Sequence, residues 1–176
     1  MDNNERTEII RDENVRGLNK AVVRLLREKG MKLATAESLT GGLVSDMITE
    51  VPGASEVFEC GVCSYSNRIK SSVLGVSEEA LVKYTEYSGE TACEMAEGIR
   101  KLSGADIGVS TTGIAGPGGG TAEKPVGLVY IGISSSKGAR AVKYEFGRGS
   151  QNERVRIRKL AALNALELVR ELLDGE

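Results

Sequence analysis

The chain has 176 residues, of which 40% are hydrophobic and 27% are charged, and it contains neither histidine nor tryptophan. This length is typical of one domain with a hydrophobic core of its own. Because histidine is absent, a Ser-His-Asp triad, a histidine-based zinc site and a histidine pH switch are all excluded. The 23 basic and 25 acidic side chains leave a formal net charge of -2, which gives no electrostatic reason to bind nucleic acid or an anionic membrane.

Segment composition indicates the domain organisation and the compartment. The polar segment 1–13 has no apolar core, and no later stretch has the roughly 18 to 20 apolar residues that a membrane-spanning helix needs. We therefore expect a polar tail over 1–13, one domain over 14–176 and a cytoplasmic location. Three cysteines, Cys60, Cys63 and Cys93, argue against a disulfide framework because their number is odd and no export signal is present. Cys60 and Cys63 have C-x-x-C spacing, but residues three apart on a strand point to opposite faces, so we interpret them as small buried side chains.

Apolar periodicity, turn residues and capping residues predict that helices and strands alternate along the chain. In the first third of the chain we expect a helix between the caps Asn14 and Gly30, a strand over 32–36, a helix over 43–51 and a strand over 57–65. A short helix that carries Ile69 and Leu74 follows, and then helices after Ser77 and Ser88. The remaining elements are strands over 106–112, 126–134 and 140–146 and a last helix, which opens with a capping box from Ser150 to Glu153. The last two strands are typical of a hairpin, with Val142, Tyr144 and Phe146 on one face. This order predicts an α/β domain of three layers, in which helices flank a mixed, largely parallel sheet of about five strands.

Ligands of open α/β sheets bind beyond the carboxyl ends of the strands. Segments rich in hydroxyls, amides or glycine follow three predicted strands, at 37–42, 64–70 and 111–120. In the first, Ser38 precedes a turn over 40–42 that opens a helix, so a hydroxyl lies beside backbone N–H groups that can hold an oxyanion or a phosphate. The structural alternative is that the hydroxyls cap the helix and the glycines allow close packing.

A serine nucleophile in a chain without histidine needs another base. A lysine whose pKa is lowered by burial can accept the hydroxyl proton. Lys70 is the candidate, because with Asn67 as the helix cap it would lie three residues inside the helix and on the same side. The alternatives are that Lys70 is a solvated surface lysine and that Tyr65 is a core aromatic at a strand end.

A glycine-rich loop and a basic helix start are the other candidate binding features. Backbone amides of the loop 113–120 can approach a ligand closely, but the loop lacks P-loop spacing and leads into a hairpin, which disfavours ATP binding of that kind. A flexible connection is the alternative. Arg154 and Arg158 lie one turn apart near the start of the last helix, where an anionic ligand would relieve their unfavourable interaction with the helix dipole. Pairing with neighbouring carboxylates would serve equally well.

Six segments between residues 35 and 127 carry a recognisable set of motifs in collinear order, and the likeness that they show covers residues 14–173. They are T-A-E-S-L-T-G-G at 35–42, V-P-G-A-S at 51–55, Y-S-N-R-I-K at 65–70, G-A-D-I-G-V at 104–109, T-G-I-A-G-P-G-G-G at 112–120 and E-K-P-V-G at 123–127. Together they closely resemble the CinA C-terminal domain family, the nicotinamide-nucleotide amidases. The resemblance implies a hydrolase that converts nicotinamide mononucleotide to nicotinate mononucleotide and ammonia, a step of pyridine-nucleotide salvage, with no metal and no cofactor.

The resemblance also implies roles for single residues. The serine of the A-E-S motif is Ser38, the expected nucleophile, and the lysine that closes the Y-S-N-x-x-K motif is Lys70, its expected base. The positions expected to shape the substrate site are Tyr65, Asn67, Thr112, Gly113 and Arg154. Three departures are visible: Leu39 replaces the common cysteine, Tyr84-Thr85 stands where many members have His-Gly, and the segment 147–152 departs from the usual G-D-R lead-in to the last helix.

The sequence thus predicts a Ser-Lys amidase. In this hypothesis Ser38 attacks the amide carbon, and Lys70 takes its proton and later delivers one to the departing ammonia. The backbone N–H groups of Thr40, Gly41 and Gly42 stabilise the tetrahedral oxyanion.

The expected partner is a small molecule, with Arg154 and the amides of the loop 113–120 as candidates for its phosphate and Tyr65 for its pyridine or ribose. Two other functions remain open: a catalytically silent nucleotide-binding or assembly module of the same fold, and an amidase or esterase for another small substrate. The apolar face of the strand 140–146 and the long final helix could also cover a second subunit, so a homo-oligomer is an expectation as well.

Overall fold

A five-stranded mixed sheet organises the chain, which the computed structural model describes over residues 16–147 and 153–175. The strands are β1 (Leu33–Glu37), β2 (Phe58–Cys63), β3 (Ile107–Gly113), β4 (Leu128–Ser135) and β5 (Gly138–Glu145). Their spatial order is β2-β1-β3-β4-β5, in which β1 is parallel to β2 and β3, while β4 is antiparallel to β3 and β5. The predicted α/β class and mixed sheet are confirmed, with two of the four strand pairs parallel.

Helices cover both faces of this sheet. They are α1 (Leu18–Lys29), α2 (Leu43–Thr49), α3 (Asn67–Leu74), α4 (Gly89–Ser103) and α5 (Glu153–Asp174), with a 3₁₀ turn at Ala54–Glu56 and a π-helical turn at Ala80–Tyr84. The first, second and last helices share one core cluster, and α3 and α4 pack on the opposite face. The predicted three layers are therefore present. The Gly30 cap has the expected left-handed conformation, with φ of 65°, whereas the predicted caps Asn14 and Ser150 lie outside the described residues.

The apolar face of β5 is covered by the chain itself. Val142, Tyr144 and Phe146 belong to the same core cluster as α1 and α5, and the two aromatic rings stack with centroids 5.6 Å apart. The expectation that this face is free to cover a second subunit is wrong, because these side chains complete the core of their own domain. A homo-oligomer stays a prediction.

The strand β2 lies at the edge of the sheet, and this explains the state of its cysteines. Burial alternates along the strand, so that Cys60 is half-buried and Cys63 is exposed. The opposite orientation of the pair is confirmed, but the prediction that both are buried is wrong, because an edge strand has a neighbour on one side only. Within 16–147 and 153–175, no cluster of three or more acidic or cysteine side chains suits a metal ion, and no helix is long and apolar enough to cross a bilayer.

Two glycines allow α4 to lie directly on the sheet. A Cβ atom at Gly108 would stand 2.1 Å from the carbonyl oxygen of Ala96, and one at Gly132 would stand 2.2 Å from that of Ala92. Backbone at such short range leaves no room for a side chain, so glycine is required at both positions. The close contact fixes the start of α4, and the segment 84–88 before it, beside the carboxyl end of β3.

Candidate active site

Parallel pairing brings the carboxyl ends of β1, β2 and β3 to the same edge of the sheet. The register places Glu37 opposite both Cys63 and Thr111. Beyond these pairs the N–H of Ser38 donates to the carbonyl of Thr111 at 2.9 Å, and the N–H of Ser64 donates to the carbonyl of Glu37 at 2.8 Å. The two segments that carry the predicted nucleophile and base therefore leave the sheet side by side.

The predicted nucleophile and base are in direct contact. Lys70 Nζ donates to Ser38 Oγ at 3.1 Å and to the carbonyl oxygen of Ser64 at 3.0 Å. Ser38 is 7% exposed and Lys70 is 1% exposed, so the alternative of a solvated surface lysine is wrong. Burial lowers the pKa of Lys70, while the negative charge of Glu86 raises it by a smaller amount. The net effect shifts Lys70 toward the neutral amine that a base requires.

The position of Lys70 follows from the start of α3. The N-terminal cap is Ser66, whose hydroxyl accepts a hydrogen bond from the N–H of Ile69 at 3.3 Å. The prediction that Asn67 is the cap is wrong, because serine and asparagine cap helices about equally well and the two are adjacent. Asn67 is instead the first residue of the helix and lines the cleft described below.

Glu37, the residue before the predicted nucleophile, fixes the start of α2. Its Oε2 accepts from the N–H groups of Gly42 and Val44 at 2.9 and 3.0 Å. Its Oε1 accepts from the N–H and the hydroxyl of Ser45 at 2.8 and 2.7 Å. The side chain is 1% exposed, so four charge-assisted bonds form away from water. Sequence reasoning assigned this residue no role of its own.

The turn over 40–42 is held by internal hydrogen bonds. The N–H of Gly42 is taken by the carboxylate just described, and the N–H of Gly41 donates to the carbonyl of Ser38 at 3.2 Å. The hydroxyl of Thr40 is fully buried and shares a hydrogen bond of 2.7 Å with that of Thr111. The expectation that Gly41 and Gly42 offer unpaired N–H groups to an oxyanion is therefore wrong, because both already have acceptors within the turn.

A cleft with a volume of about 150 Å³ opens over the nucleophile. Cavities of about this volume in other proteins hold one benzene ring. The described side chains and glycines of its walls include Ser38, Tyr65, Asn67, Lys70, Glu86, Tyr87, Gly113 and Arg154. Tyr65 is 64% exposed, so the alternative of a core aromatic is wrong. Thr112 lies outside the cleft wall: its buried hydroxyl donates to the carbonyl oxygen of Glu86 at 2.6 Å.

Two arginines of α5 reach the site in different ways. Arg154 donates to the carbonyl of Gly116 at 2.8 Å and to the hydroxyl of Tyr65 at 3.0 Å, so it joins the glycine-rich loop to the rim of the cleft. Arg158 donates to the carbonyl oxygens of residues 39–40, at 3.0 and 2.7 Å. Arg154 therefore faces the space above the cleft, whereas Arg158 supports the turn beneath it.

Glu86 and Tyr87 line the cleft but were missed by sequence reasoning. They follow Thr85, which has a φ of 72°. Lys124 holds this segment by donating to the carbonyls of Tyr84 and Tyr87, at 2.9 and 3.3 Å, and to the hydroxyl of Thr85. The available signal was the departure from the His-Gly pair at 84–85, because a glycine there would suit a positive φ.

Comparison with known proteins agrees with this architecture. A CinA-like protein of Kosmotoga olearia is 50% identical over 156 residues, which are 89% of this chain and 37% of that protein. A CinA-like protein of Thermotoga maritima is 48% identical over 158 residues, 90% of this chain and 38% of its own. The chain thus spans less than two fifths of the length of these curated relatives.

Solved structures extend the likeness to nearly whole chains. The competence/damage inducible protein CihA from Agrobacterium tumefaciens superposes with a TM-score of 0.83 at 37% identity, over 89% of this chain and 93% of its own. A competence-damaged protein (CinA) superfamily member from Klebsiella pneumoniae gives a TM-score of 0.84 at 29% identity, over 90% of this chain and 97% of that chain. The model of the CinA C-terminal domain matches residues 15–173, nearly all of the chain, and the chain therefore belongs to that family.

Proposed function

We propose that this domain is a cytoplasmic Ser-Lys amidase that hydrolyses nicotinamide mononucleotide to nicotinate mononucleotide and ammonia. The observation that carries the proposal is the 3.1 Å contact between Lys70 Nζ and Ser38 Oγ in a buried site. Membership of the CinA family is consistent with this reaction. A cleft of about 150 Å³ that suits one ring supports an aromatic carboxamide as the substrate.

The contacts of Lys70 explain how the base would work. In its neutral form the amine keeps one N–H on the carbonyl of Ser64 and turns its lone pair to the hydroxyl of Ser38. It accepts the hydroxyl proton as Oγ attacks the carboxamide carbon, and it then gives that proton to the nitrogen. The C–N bond breaks, ammonia leaves and the nicotinoyl group stays on Ser38 as an ester.

Deacylation repeats the same steps with water. Neutral Lys70 takes a proton from the attacking water, and the tetrahedral intermediate collapses by breaking the ester bond to Ser38. Ser38 regains its proton from the ammonium group of Lys70, and nicotinate mononucleotide is released. In both halves the N–H of Leu39, which directly follows the nucleophile and lies on the cleft wall, is the candidate donor to the oxyanion.

The remaining contacts orient the nucleotide. Arg154 stands at the rim between the glycine-rich loop and Tyr65, where a guanidinium can bind the phosphate with two parallel hydrogen bonds. The pyridine ring then occupies the cleft with its carboxamide over Ser38, and the ribose crosses the rim beside Tyr65. Asn67 supplies an amide near the same opening.

The test is ammonia release from nicotinamide mononucleotide by the wild type, Ser38→Ala and Lys70→Met. Each replacement should reduce kcat by about a thousandfold or more, because the nucleophile and its base act as a unit. The matched controls are Ser72→Ala and Lys101→Met, an exposed serine on α3 and an exposed lysine on α4, which should keep full activity. Full activity in Ser38→Ala or Lys70→Met refutes the pair.

The other functions give different results in the same assay. A silent binding module would bind nicotinamide mononucleotide without ammonia release from the wild type. An amidase for another substrate would release ammonia from simple aromatic or aliphatic amides faster than from the nucleotide.

A further inference from the structure

The described part of the cleft wall contains one carboxylate, that of Glu86, which the proposed reaction does not use. Among the described residues that line the cleft, Glu86 is the one acidic side chain, and Lys70 and Arg154 are the two basic ones. No ion pair joins Glu86 to a basic side chain within 16–147 and 153–175, although its charge acts on Lys70 across the cleft. An amidase of this type needs no carboxylate, and this one opposes the base because it favours the ammonium form.

The backbone around Glu86 is fixed on several sides. Its own carbonyl accepts from the buried hydroxyl of Thr112 at 2.6 Å. The preceding carbonyl, that of Thr85, accepts from the hydroxyls of Ser88 and Thr91 at 3.0 and 2.8 Å. Ser88 then caps α4, which is seated on the sheet. Glu86 therefore lines the cleft from a rigid segment, as a binding group should.

Two tyrosines, Tyr65 and Tyr87, share the cleft wall with this carboxylate. Burial is the largest cause that raises the pKa of Tyr87. Electrostatic interaction with Glu86 and with Tyr65, and a side-chain interaction with the Glu86 carboxylate, raise it further. Tyr87 therefore stays a neutral phenol at physiological pH and presents an aromatic ring. Aromatic rings next to a carboxylate attract organic cations by cation–π and charge interactions together.

We propose that Glu86, flanked by Tyr65 and Tyr87, binds the positive charge of the substrate ring, so that the cleft selects an N-substituted pyridinium carboxamide over a neutral ring of the same shape. This inference rests on the proposed function, because the pyridinium is the ring of nicotinamide mononucleotide. That substrate carries a cationic ring and an anionic phosphate, and the site offers Glu86 and Arg154 as the complementary pair. With Lys70 neutral in the reactive form, Arg154 is the one cationic side chain in the described cleft wall, and it donates to the carbonyl of Gly116 and the hydroxyl of Tyr65.

The experiment measures binding apart from turnover. In the inactive Ser38→Ala protein, dissociation constants are measured for nicotinamide mononucleotide and for its 1,4-dihydro form, which keeps the carboxamide, ribose and phosphate but has a neutral ring. The pyridinium form should bind at least about tenfold more tightly than the dihydro form. Glu86→Gln in the same background should remove most of that preference by weakening the binding of the pyridinium form alone.

Two further variants separate recognition from folding. Glu86→Asp should keep much of the preference because it keeps the charge. Glu90→Gln removes an equal charge from an exposed position on the first turn of α4, outside the cleft, and should leave both dissociation constants unchanged. In the active protein, Glu86→Gln should raise KM for the pyridinium and leave kcat, measured at the alkaline plateau, nearly the same.

The outcomes distinguish this inference from the proposed function. Equal binding of the two ring forms, or a preference that survives in Glu86→Gln, overturns the recognition of charge even if the wild type releases ammonia. Absence of ammonia release from the wild type refutes the amidase instead, and a charge preference that depends on Glu86 would then still establish a pyridinium-binding site.

Discussion

Replacement of Glu37 by glutamine tests how the catalytic turn is built. Its carboxylate accepts four hydrogen bonds, from the N–H groups of Gly42 and Val44 and from the N–H and hydroxyl of Ser45. Glutamine has the same shape, but only one of its two terminal atoms accepts hydrogen bonds. If its NH₂ group faces Gly42 and Val44, two N–H donors lose their acceptor; if it faces Ser45, one N–H does, because the serine hydroxyl can turn and accept from the NH₂.

The expected loss of stability follows from this count. At least one hydrogen bond to a charged acceptor is lost, which contributes about 1.5 to 3 kcal/mol, and the remaining bonds weaken because their acceptor is no longer charged. The freed N–H also stays shielded from bulk water, because Glu37 is 1% exposed. We therefore expect Glu37→Gln to lower the free energy of unfolding by about 2 to 4 kcal/mol, a large part of the stability of a typical domain.

The assay is denaturant-induced unfolding, combined with ammonia release under conditions in which the variant remains folded. Activity should fall about a hundredfold, because Ser38 follows Glu37 directly and a shift of about 1 Å between nucleophile and substrate has that effect. The control is Glu50→Gln, an exposed glutamate at the other end of α2, which should change stability by about 0.5 kcal/mol at most. A loss below about 1 kcal/mol in Glu37→Gln would refute the reasoning, because the four bonds would then be of little consequence.

Three other predictions concern the base, the rim and a strained residue. The value of kcat/KM should rise with pH as Lys70 loses its proton, with an inflection below the ordinary lysine pKa of 10.5. Glu86→Gln should move this inflection to lower pH, and a move to higher pH would contradict the assignment of Lys70 as the base. In the wild type, the inflection for kcat should lie below that for kcat/KM. Arg154→Gln should raise KM by about tenfold with kcat nearly unchanged, and an unchanged KM would exclude a phosphate contact. Thr85→Gly should be more stable to denaturant than Thr85→Ala by about 1 kcal/mol, because the backbone at φ 72° is strained with alanine and unstrained with glycine. Equal stabilities of the two variants would show that no strain is present.

Several features of the site could be predicted because they depend on local patterns and on strand order. Missing histidine left lysine as the natural base for a serine nucleophile, and Lys70 closes a motif that follows a strand. Parallel strands end at one edge of a sheet, so segments after β1 and β2 had to meet there. The contact of 3.1 Å between Lys70 and Ser38 is the direct result.

The acceptors of the turn amides could not be predicted in the same way. Local capping rules look for Ser, Thr, Asp or Asn just before a helix, or for an acid three residues later. Glu37 lies at the end of β1, five residues before the amide of Gly42, and it reaches the helix only because the chain folds back on itself. The same limit applies to Cys63, whose exposure depends on which strand occupies the edge of the sheet.

Glu86 illustrates contacts that come from packing between distant elements. It lies before α4, and its place in the cleft depends on how closely that helix approaches the sheet at Gly108 and Gly132. Neither periodicity nor motif spacing contains that information. The departure at Tyr84-Thr85 marked the neighbourhood as unusual, but it gave no indication of which side chain would enter the cleft.

The unequal inflections predicted for kcat and kcat/KM follow from placing a base and a carboxylate across one cleft. In the free protein the charge of Glu86 raises the pKa of Lys70 and so works against the neutral amine. A pyridinium bound between them cancels much of that field and adds a positive charge near the ammonium, and both effects favour loss of its proton. Linkage then requires the converse, that the neutral form of Lys70 binds the cationic ring more tightly than the charged form does. The profile of kcat reports the substrate complex and that of kcat/KM reports the free protein, so the substrate itself would complete the activation of the base.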